Sequence, residues 1–223
     1  MLVLVDGAIS RPGFGGGKKG NFGGGDAAPG EEGGKEGNIP EEYRDRRGSI
    51  TTKTTLPQLR AFLEAGGTIV TIGSSTALAS QLGLPIGNHL AIAEKDGKER
   101  ALSREKFYVP GSLLRTRVNT SHPLAWGMPE EADVMFSGSP TFRVSLAAEE
   151  KGIQRIAWFD SKTPLRSGWA WGQEHLQGGV AIADAKVGHG SLVVCGPEIL
   201  FRAQPHGTFK FLFNSIARAA TTN

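Results

Sequence analysis

The sequence predicts an α/β domain, because short apolar runs of strand length alternate with segments of helical period. Residues 2–5 form a continuous apolar run, which is typical of a strand covered on both faces. The chain has 223 residues, of which 39% are hydrophobic, enough for one core and too few for two large domains. We therefore expect a single α/β domain over residues 1–223.

The remaining elements follow in order along the chain. A helix over residues 57–65 has apolar residues on one face and ends at a pair of glycines, which favour a helix terminus. A buried strand over residues 68–72 and a short helix over residues 77–82 come next. Further strands are predicted over residues 113–118, 134–136, 154–159, 180–185 and 191–195. The apolar stripe of a C-terminal helix over residues 208–219 consists of Phe209, Leu212, Phe213 and Ile216.

The surplus of glycine is confined to one segment. Twelve of the 32 glycines fall between Gly13 and Gly37. Such a composition buries too little apolar surface to offset the entropy of ordering. The spacing of a phosphate-binding loop, G-x-x-x-x-G-K-[ST], does not occur in it. We therefore predict a flexible glycine-rich loop over residues 11–38.

The composition excludes several kinds of site. The 25 basic and 22 acidic residues leave a net charge of +3, which is weak support for a nucleic-acid partner. Cys195 is the one cysteine of the chain, which excludes an intrachain disulfide and a multi-cysteine metal site. No two histidines have the H-E-x-x-H spacing of zinc peptidases, and no apolar run approaches the roughly 20 residues of a membrane span. We expect no metal, no cofactor, no nucleic acid and no membrane partner.

The junction at residues 73–77 is the most informative local feature. It follows a buried strand, precedes a helix and has the pattern G-x-S-x-A, which satisfies the steric demands of a nucleophile elbow. Ser75 is then the candidate nucleophile, and backbone amides of Gly73, Ser74 and Thr76 would form the oxyanion hole. The alternative is that these hydroxyls only cap the helix, as serine and threonine do routinely.

A serine nucleophile needs a general base. His206 is the candidate, because it precedes the C-terminal helix soon after the strand that ends at Cys195. Glu198 leaves that strand at the same edge and would orient the imidazole. The alternative is that Glu198 pairs with Arg202 and that His206 is an ordinary helix-start residue.

Two further predictions concern Cys195 and a pair of tryptophans. Cys195 is the alternative nucleophile, although a cysteine at the end of an apolar strand is commonly a small core residue. Trp169 and Trp171 have period two, which places both rings on one strand face, where they would line a pocket or serve in packing.

Several stretches carry a resemblance to a known family. They are VDGAI at 5–9, GGTIV and GSST within 66–76, FYVPGSLL at 107–114, SHPLAWG at 121–127, TPLRSGW at 163–169, and GPEILFR with QPHG within 196–207. Together they resemble the class I glutamine amidotransferase-like domain at the C-terminus of certain large bacterial zinc carboxypeptidases. The resemblance implies a flavodoxin-like three-layer α/β/α sandwich with a mostly parallel central sheet, and an extracytoplasmic location, although the chain carries no export signal of its own.

The chain departs from this family at two places. No residues match the zinc ligands of the peptidase domain, so peptidase activity is not implied. The family's domain opens with a strand and a helix before the VDGAI strand, whereas this chain starts at that strand. The resemblance therefore implies an N-terminally truncated domain whose open sheet position a partner subunit or a rearranged terminus would fill. Glutamine amidotransferases have a cysteine at the elbow, where this chain has Ser75.

Two hypotheses of function follow. In the first, the protein is a promiscuous hydrolase of small esters or amides, with Ser75 as nucleophile, His206 as general acid and base and Glu198 as its orienting group. In the second, the protein is a non-catalytic accessory domain that binds a ligand or takes part in assembly.

Overall fold

The computed structural model describes residues 1–9, 40–42, 50–93 and 99–221. The predicted loop over residues 11–38 lies outside this part of the chain. Among the described residues, no helix is both long and apolar enough to cross a bilayer.

The described residues form twelve strands and four α-helices. The strands are β1 (Leu2–Leu4), β2 (Thr68–Ile72), β3 (Gly87–Asn88), β4 (Ala91–Ala93), β5 (Glu99–Ala101), β6 (Ser112–Val118), β7 (Glu131–Phe136), β8 (Phe142–Arg143), β9 (Ile153–Trp158), β10 (Leu165–Ser167), β11 (Val180–Val187) and β12 (Gly190–Cys195). The helices are α1 (Thr55–Glu64), α2 (Leu78–Gln81), α3 (Leu146–Glu150) and α4 (Phe209–Thr221). A 3₁₀ turn, Gly73–Ala77, joins β2 to α2.

Ten strands form one mixed sheet, whose main path is β1-β2-β12-β11-β9-β6-β10. The pairs β1–β2 and β2–β12 are parallel, whereas β12–β11, β11–β9, β9–β6 and β6–β10 are antiparallel. The expectation of a mostly parallel sheet is therefore correct for the β1–β2–β12 half only. β11 and β12 pair antiparallel because the turn between Val187 and Gly190 leaves no room for a crossover helix.

β1 is the edge strand of the parallel half. Leu2 and Val3 are 39% and 38% exposed, so the expectation that this strand is covered on both faces is wrong. An apolar run of this length is common to central and edge strands, and β2 is the one strand that pairs with β1 in the described part of the chain.

Helices cover both faces of the sheet where β2 and β12 lie. α1 packs on one face through Leu59 and Leu63, which share a buried cluster with Ile69 of β2. α4 packs on the opposite face through Phe211, which shares a second buried cluster with Val70. Alternate residues of β2 thus contribute to the two clusters, as the pleat of a strand requires.

The packed face of α4 differs from the predicted stripe. Leu212 packs against the core as predicted, whereas Phe213 and Ile216 of the predicted stripe are 56% and 45% exposed. Phe211 and Ser215 are buried instead. Polar contacts set this rotation, because the side-chain amide of Asn214 donates to the carbonyl of Leu124 at 3.0 Å and Arg218 reaches a buried carboxylate of the sheet. The helical period alone does not report these contacts.

That carboxylate belongs to Asp184 of β11, which is buried and accepts hydrogen bonds from two side chains. Arg218 of α4 donates to it at 2.5 Å and 3.3 Å, and the hydroxyl of Ser191 also donates to it. His122 Nε2 lies 3.5 Å from its Oδ2. Because a buried carboxylate is stable only when it is paired and hydrogen-bonded, this cluster ties α4 to the sheet.

Loss of Arg218 should therefore cost far more stability than loss of an exposed partner in an ion pair. We expect Arg218→Met to lower the free energy of unfolding by roughly 3 kcal/mol, since it leaves Asp184 buried without its cation. The control Arg117→Met removes an exposed pair with Glu130 and should cost less than about 1 kcal/mol. Urea denaturation of both variants measures the difference, and equal losses would contradict the assignment.

Candidate functional site

The candidate site lies where the parallel strands β1, β2 and β12 end. The loop that follows β1, the turn Gly73–Ala77 after β2 and the segment after Cys195 leave the sheet at this edge. Ligand sites of α/β folds commonly form at the carboxyl ends of parallel strands. The structure thus places the predicted elbow where a site is expected.

Ser75 is a structural link in this structure. Its side chain is wholly buried, its hydroxyl donates to the carbonyl of Val5 at 2.5 Å, and it accepts from the backbone N–H of Ile9 at 3.2 Å. In the described part of the chain these are its side-chain hydrogen bonds, and neither involves His206. A serine nucleophile requires a hydroxyl that faces substrate and donates to its base, and Ser75 meets neither requirement here.

The sharp backbone conformation lies two residues before Ser75. Gly73 has φ of +60°, and a Cβ at this position would clash with the carboxylate of Asp6. In a nucleophile elbow the strained turn residue exposes the nucleophile. In this chain glycine occupies the strained position, so the turn presents backbone and no side-chain nucleophile.

One amide of the elbow already has an internal acceptor. The backbone N–H of Ser74 donates to Oδ1 of Asp6 at 2.5 Å, and the hydroxyl of Ser74 accepts from the N–H of Gly7 at 2.7 Å. The hydroxyl of Thr76 donates to the carbonyl of Gly73 at 2.6 Å. Asp6 therefore occupies a donor that the predicted oxyanion hole would need.

Glu198 is half-buried and lies in the field of Asp6. Burial raises the pKa of the Glu198 carboxyl, the Asp6 charge raises it further, and Arg202 lowers it. The alternative that Glu198 interacts with Arg202 thus has electrostatic support. No hydrogen bond joins Glu198 to His206 among the described residues, so the structure does not form the predicted orienting contact.

His206 is exposed and directly follows a strained loop. Its Nε2 lies 2.9 Å from the carbonyl oxygen of Ala203, and its ring centroid lies 5.2 Å from that of Phe209. Arg202 and Ala203 both have positive φ, 48° and 52°, which is uncommon for residues other than glycine. The loop directs His206 to local partners, as expected of a helix-start residue.

Cys195 belongs to the core of the sheet. Its side chain is wholly buried, and burial, with a smaller contribution from Asp184, raises the pKa of the thiol to about 12. The thiolate is the nucleophilic form of cysteine. The neutral thiol therefore predominates at neutral pH, and Cys195 has the environment of a packing residue.

The two tryptophans do not lie on a shared strand. β10 ends at Ser167, and Gly168 and Gly172, with φ of +97° and +70°, bound the segment that contains both rings. Trp171 lines a cleft of about 450 Å³ beside Glu105 and Lys106. Trp169 packs edge-on against Tyr108, with ring centroids 5.9 Å apart.

Within the described residues, no group of three or more histidine, cysteine, aspartate or glutamate side chains could hold a metal ion. Asp6 is the residue of this site that the sequence reasoning missed. It directly follows the apolar run of the first strand, and a polar residue at that position is the signal that could have identified it.

No family model and no curated protein matches the chain. Solved structures match weakly. A β-galactosidase from Rahnella sp. R3 matches 77% of this chain and 21% of its own at 13% identity, with a TM-score of 0.40. A GMP synthase subunit from Thermoplasma acidophilum matches 75% of this chain and 65% of its own at 12% identity, with a TM-score of 0.44. A chain of PurLQS from Thermotoga maritima matches 73% of this chain and 66% of its own at 14% identity, with a TM-score of 0.41.

The chain thus spans about a fifth of the β-galactosidase and about two thirds of the other two chains. The latter two are class I glutamine amidotransferase-like folds. The fold that the described residues themselves establish is a mixed α/β sheet with helices on both faces.

The raised pKa of Glu198, caused by burial and then by Asp6, predicts a pH effect on stability. A folded-state pKa above the unfolded value means that the folded protein binds the Glu198 proton more tightly. The free energy of unfolding should therefore fall as pH rises from the ordinary glutamate pKa through the raised one. Glu198→Gln should remove this loss, whereas Glu130→Gln, which changes an exposed carboxyl, should not.

Urea denaturation at pH 4 and pH 7 gives the stability difference, and NMR titration of the side-chain carboxyl gives the pKa of Glu198 directly. In Asp6→Asn the amide oxygen still accepts from Ser74 while the charge is lost, so the pKa of Glu198 should fall. An unchanged pKa in Asp6→Asn would show that Asp6 does not act on Glu198.

Proposed function

We propose that this chain is a non-catalytic class I glutamine amidotransferase-like domain, of the flavodoxin-like three-layer type, that serves in ligand binding or assembly. The observation that carries the proposal is the burial of Ser75, whose hydroxyl donates to Val5 at 2.5 Å. In this proposal the elbow attaches the end of β1 to the turn after β2 and does not catalyse a reaction.

The electrostatics of the elbow support the same conclusion. Acyl transfer develops negative charge on an oxygen near the elbow amides, and catalysis needs free donors aimed at that oxygen. Here the amide of Ser74 donates to Asp6, and Glu198 adds a second carboxyl in the same field. Two carboxyl groups at this edge disfavour an oxyanion beside them.

Two further features fit an accessory domain. α1 and α4 lie on opposite faces of β2 and β12, which supports the three-layer arrangement. β1 is an apolar edge strand with Val5 59% exposed beyond its end, which supports assembly with a second copy through the open edge. The likeness to the domain of zinc carboxypeptidases remains part of this proposal and rests on the sequence motifs.

The competing proposal is a promiscuous ester or amide hydrolase that uses Ser75, His206 and Glu198. The strand, sharp turn and helix at residues 68–81 favour it, because they have the order of a nucleophile elbow. For catalysis, Ser75 would have to release Val5, and His206 would have to leave Ala203.

An ester assay with purified variants separates the two proposals. We expect wild type, Ser75→Ala and Cys195→Ala to show no turnover of short- and medium-chain nitrophenyl esters above buffer, because both candidate nucleophiles are wholly buried. Turnover by the wild type that is lost in Ser75→Ala, with the fold intact by circular dichroism, would establish the hydrolase instead. Loss in Cys195→Ala alone would place a nucleophile on β12.

Ser75→Ala should also reveal the structural role directly. It removes the donor to Val5 and the acceptor for Ile9 in a buried setting, which should cost about 1–3 kcal/mol of unfolding free energy. The matched control is Ser80→Ala, because Ser80 is exposed and donates to the carbonyl of Ala77 one turn earlier. Equal stability of the two variants in urea would count against Ser75 as a joint.

A further inference from the structure

A pocket separate from the elbow lies where the pairing between β6 and β9 ends. β6 pairs with the end of β9 through Arg117 and Val118, and the N–H of Asn119 donates to the carbonyl of Ile156 at 2.9 Å. The first residues of β9, 153–155, pair with β11. The space beside them is a pocket of about 590 Å³, within the range of small-molecule sites.

The pocket wall carries polar groups on three sides. Asn119, Ser121 and His122 come from the loop after β6, Gln154 comes from β9, and Glu149 comes from α3. The hydroxyl of Ser121 donates to Oδ1 of Asn119 at 2.6 Å, which fixes the loop side. Amide, hydroxyl and carboxylate groups at these positions supply both donors and acceptors.

The formal charges of this region are paired with one another. Arg155, in the wall, lies 2.6 Å from Glu149, and its guanidinium carbon lies 5.8 Å from the ring centroid of Trp158. Behind the wall, Asp184 is paired with Arg218. A pocket with these pairs offers hydrogen bonds without a surplus cation or anion for a charged ligand.

His122 is held in its neutral form at the pocket wall. Its Nδ1 accepts from the N–H of Leu124 at 3.2 Å, so the proton resides on Nε2, which faces Asp184. Burial lowers the pKa of His122, Asp184 opposes this effect, Arg218 adds to it, and a side-chain hydrogen bond with Gln154 opposes it. The imidazole therefore contributes a polar wall without net charge at neutral pH.

Apolar groups complete the lining. Ile153, Pro123 and Trp158 lie among the polar side chains. Sugars and similar polyols combine hydroxyl groups with C–H surface and carry no charge, which matches this mixture of groups.

We propose that the pocket between the loop 119–123, α3 and the start of β9 binds a neutral, hydroxyl-rich small molecule, such as a monosaccharide. This pocket contains no residue of the elbow, so its ligand would bind whether or not the elbow is catalytic. It assigns Gln154, Ser121 and Asn119 as the hydrogen-bonding groups and Trp158 as an apolar wall.

Titration of the whole chain by ¹H–¹⁵N NMR tests the proposal. The probes are D-glucose, D-galactose and N-acetyl-D-glucosamine, with sodium acetate and inorganic phosphate as charged probes and sodium chloride as the ionic-strength control. We expect at least one sugar to shift the backbone amide of Gln154 and the indole N–H of Trp158, with a saturable Kd on the order of 1 mM. Acetate and phosphate should cause no more shift than sodium chloride.

Two variants place the binding at this pocket. Gln154→Leu removes an exposed amide from β9 and should weaken the sugar affinity at least about tenfold, which corresponds to the loss of one good hydrogen bond. The control Gln58→Leu makes the same chemical change on exposed α1, outside the pocket, and should bind as the wild type does. Ser121→Ala is the second pocket variant and should also weaken binding.

Several outcomes would overturn the proposal. These are shifts with acetate or phosphate only, sugar shifts that do not saturate, no shift with any sugar, and unchanged sugar affinity in both Gln154→Leu and Ser121→Ala with folded spectra. The titration reports binding alone, so its failure is distinct from a positive ester assay, which would overturn the proposed function of the elbow.

Discussion

The hydrogen bond from Ser75 to the carbonyl of Val5 is the constraint on which the elbow end of the sheet depends. β1 has three residues and pairs with β2, so strand pairing alone gives it a weak hold on the sheet. The loop that follows is secured by side chains of the elbow, since Ser75 accepts from Ile9 and Ser74 accepts from Gly7. The hydroxyl that hydrolysis would need is thus used to attach the edge strand.

This attachment also sets the electrostatics of the edge. It brings Asp6 against the amide of Ser74 and into the space that a Cβ at position 73 would fill. Burial, and then the charge of Asp6, raises the pKa of Glu198, which makes this edge a poor place for a further negative charge. Asp184 of β11 has the opposite environment, because Arg218 and Ser191 donate to it and α4 is fixed there. The hydrogen-bonded Asp184 stabilises the fold, whereas Asp6 and Glu198 disfavour a reaction that develops negative charge beside them.

The sequence predicts most strands well where burial is local. The predicted strand 68–72 agrees with the structure because a mostly apolar run is a local signal. The position of β1 at the edge and the antiparallel half of the sheet are set by long-range pairing, which leaves no such signal. The rotation of α4 depends on polar contacts of Asn214 and Arg218 with distant segments, which a helical period cannot encode.

The same limit explains the site. The pattern G-x-S-x-A is identical whether Ser75 faces a substrate or a carbonyl 70 residues away in the chain, and the structure has the second arrangement. The pocket at β9 has a comparable origin, because it exists only where β6 stops pairing and the chain turns away at Asn119. Its residues, Ser121 and Gln154 among them, have no shared motif and meet only through the sheet order. Since the parallel-strand edge is closed by internal hydrogen bonds, a gap in strand pairing is the place where this fold leaves polar groups open to a ligand.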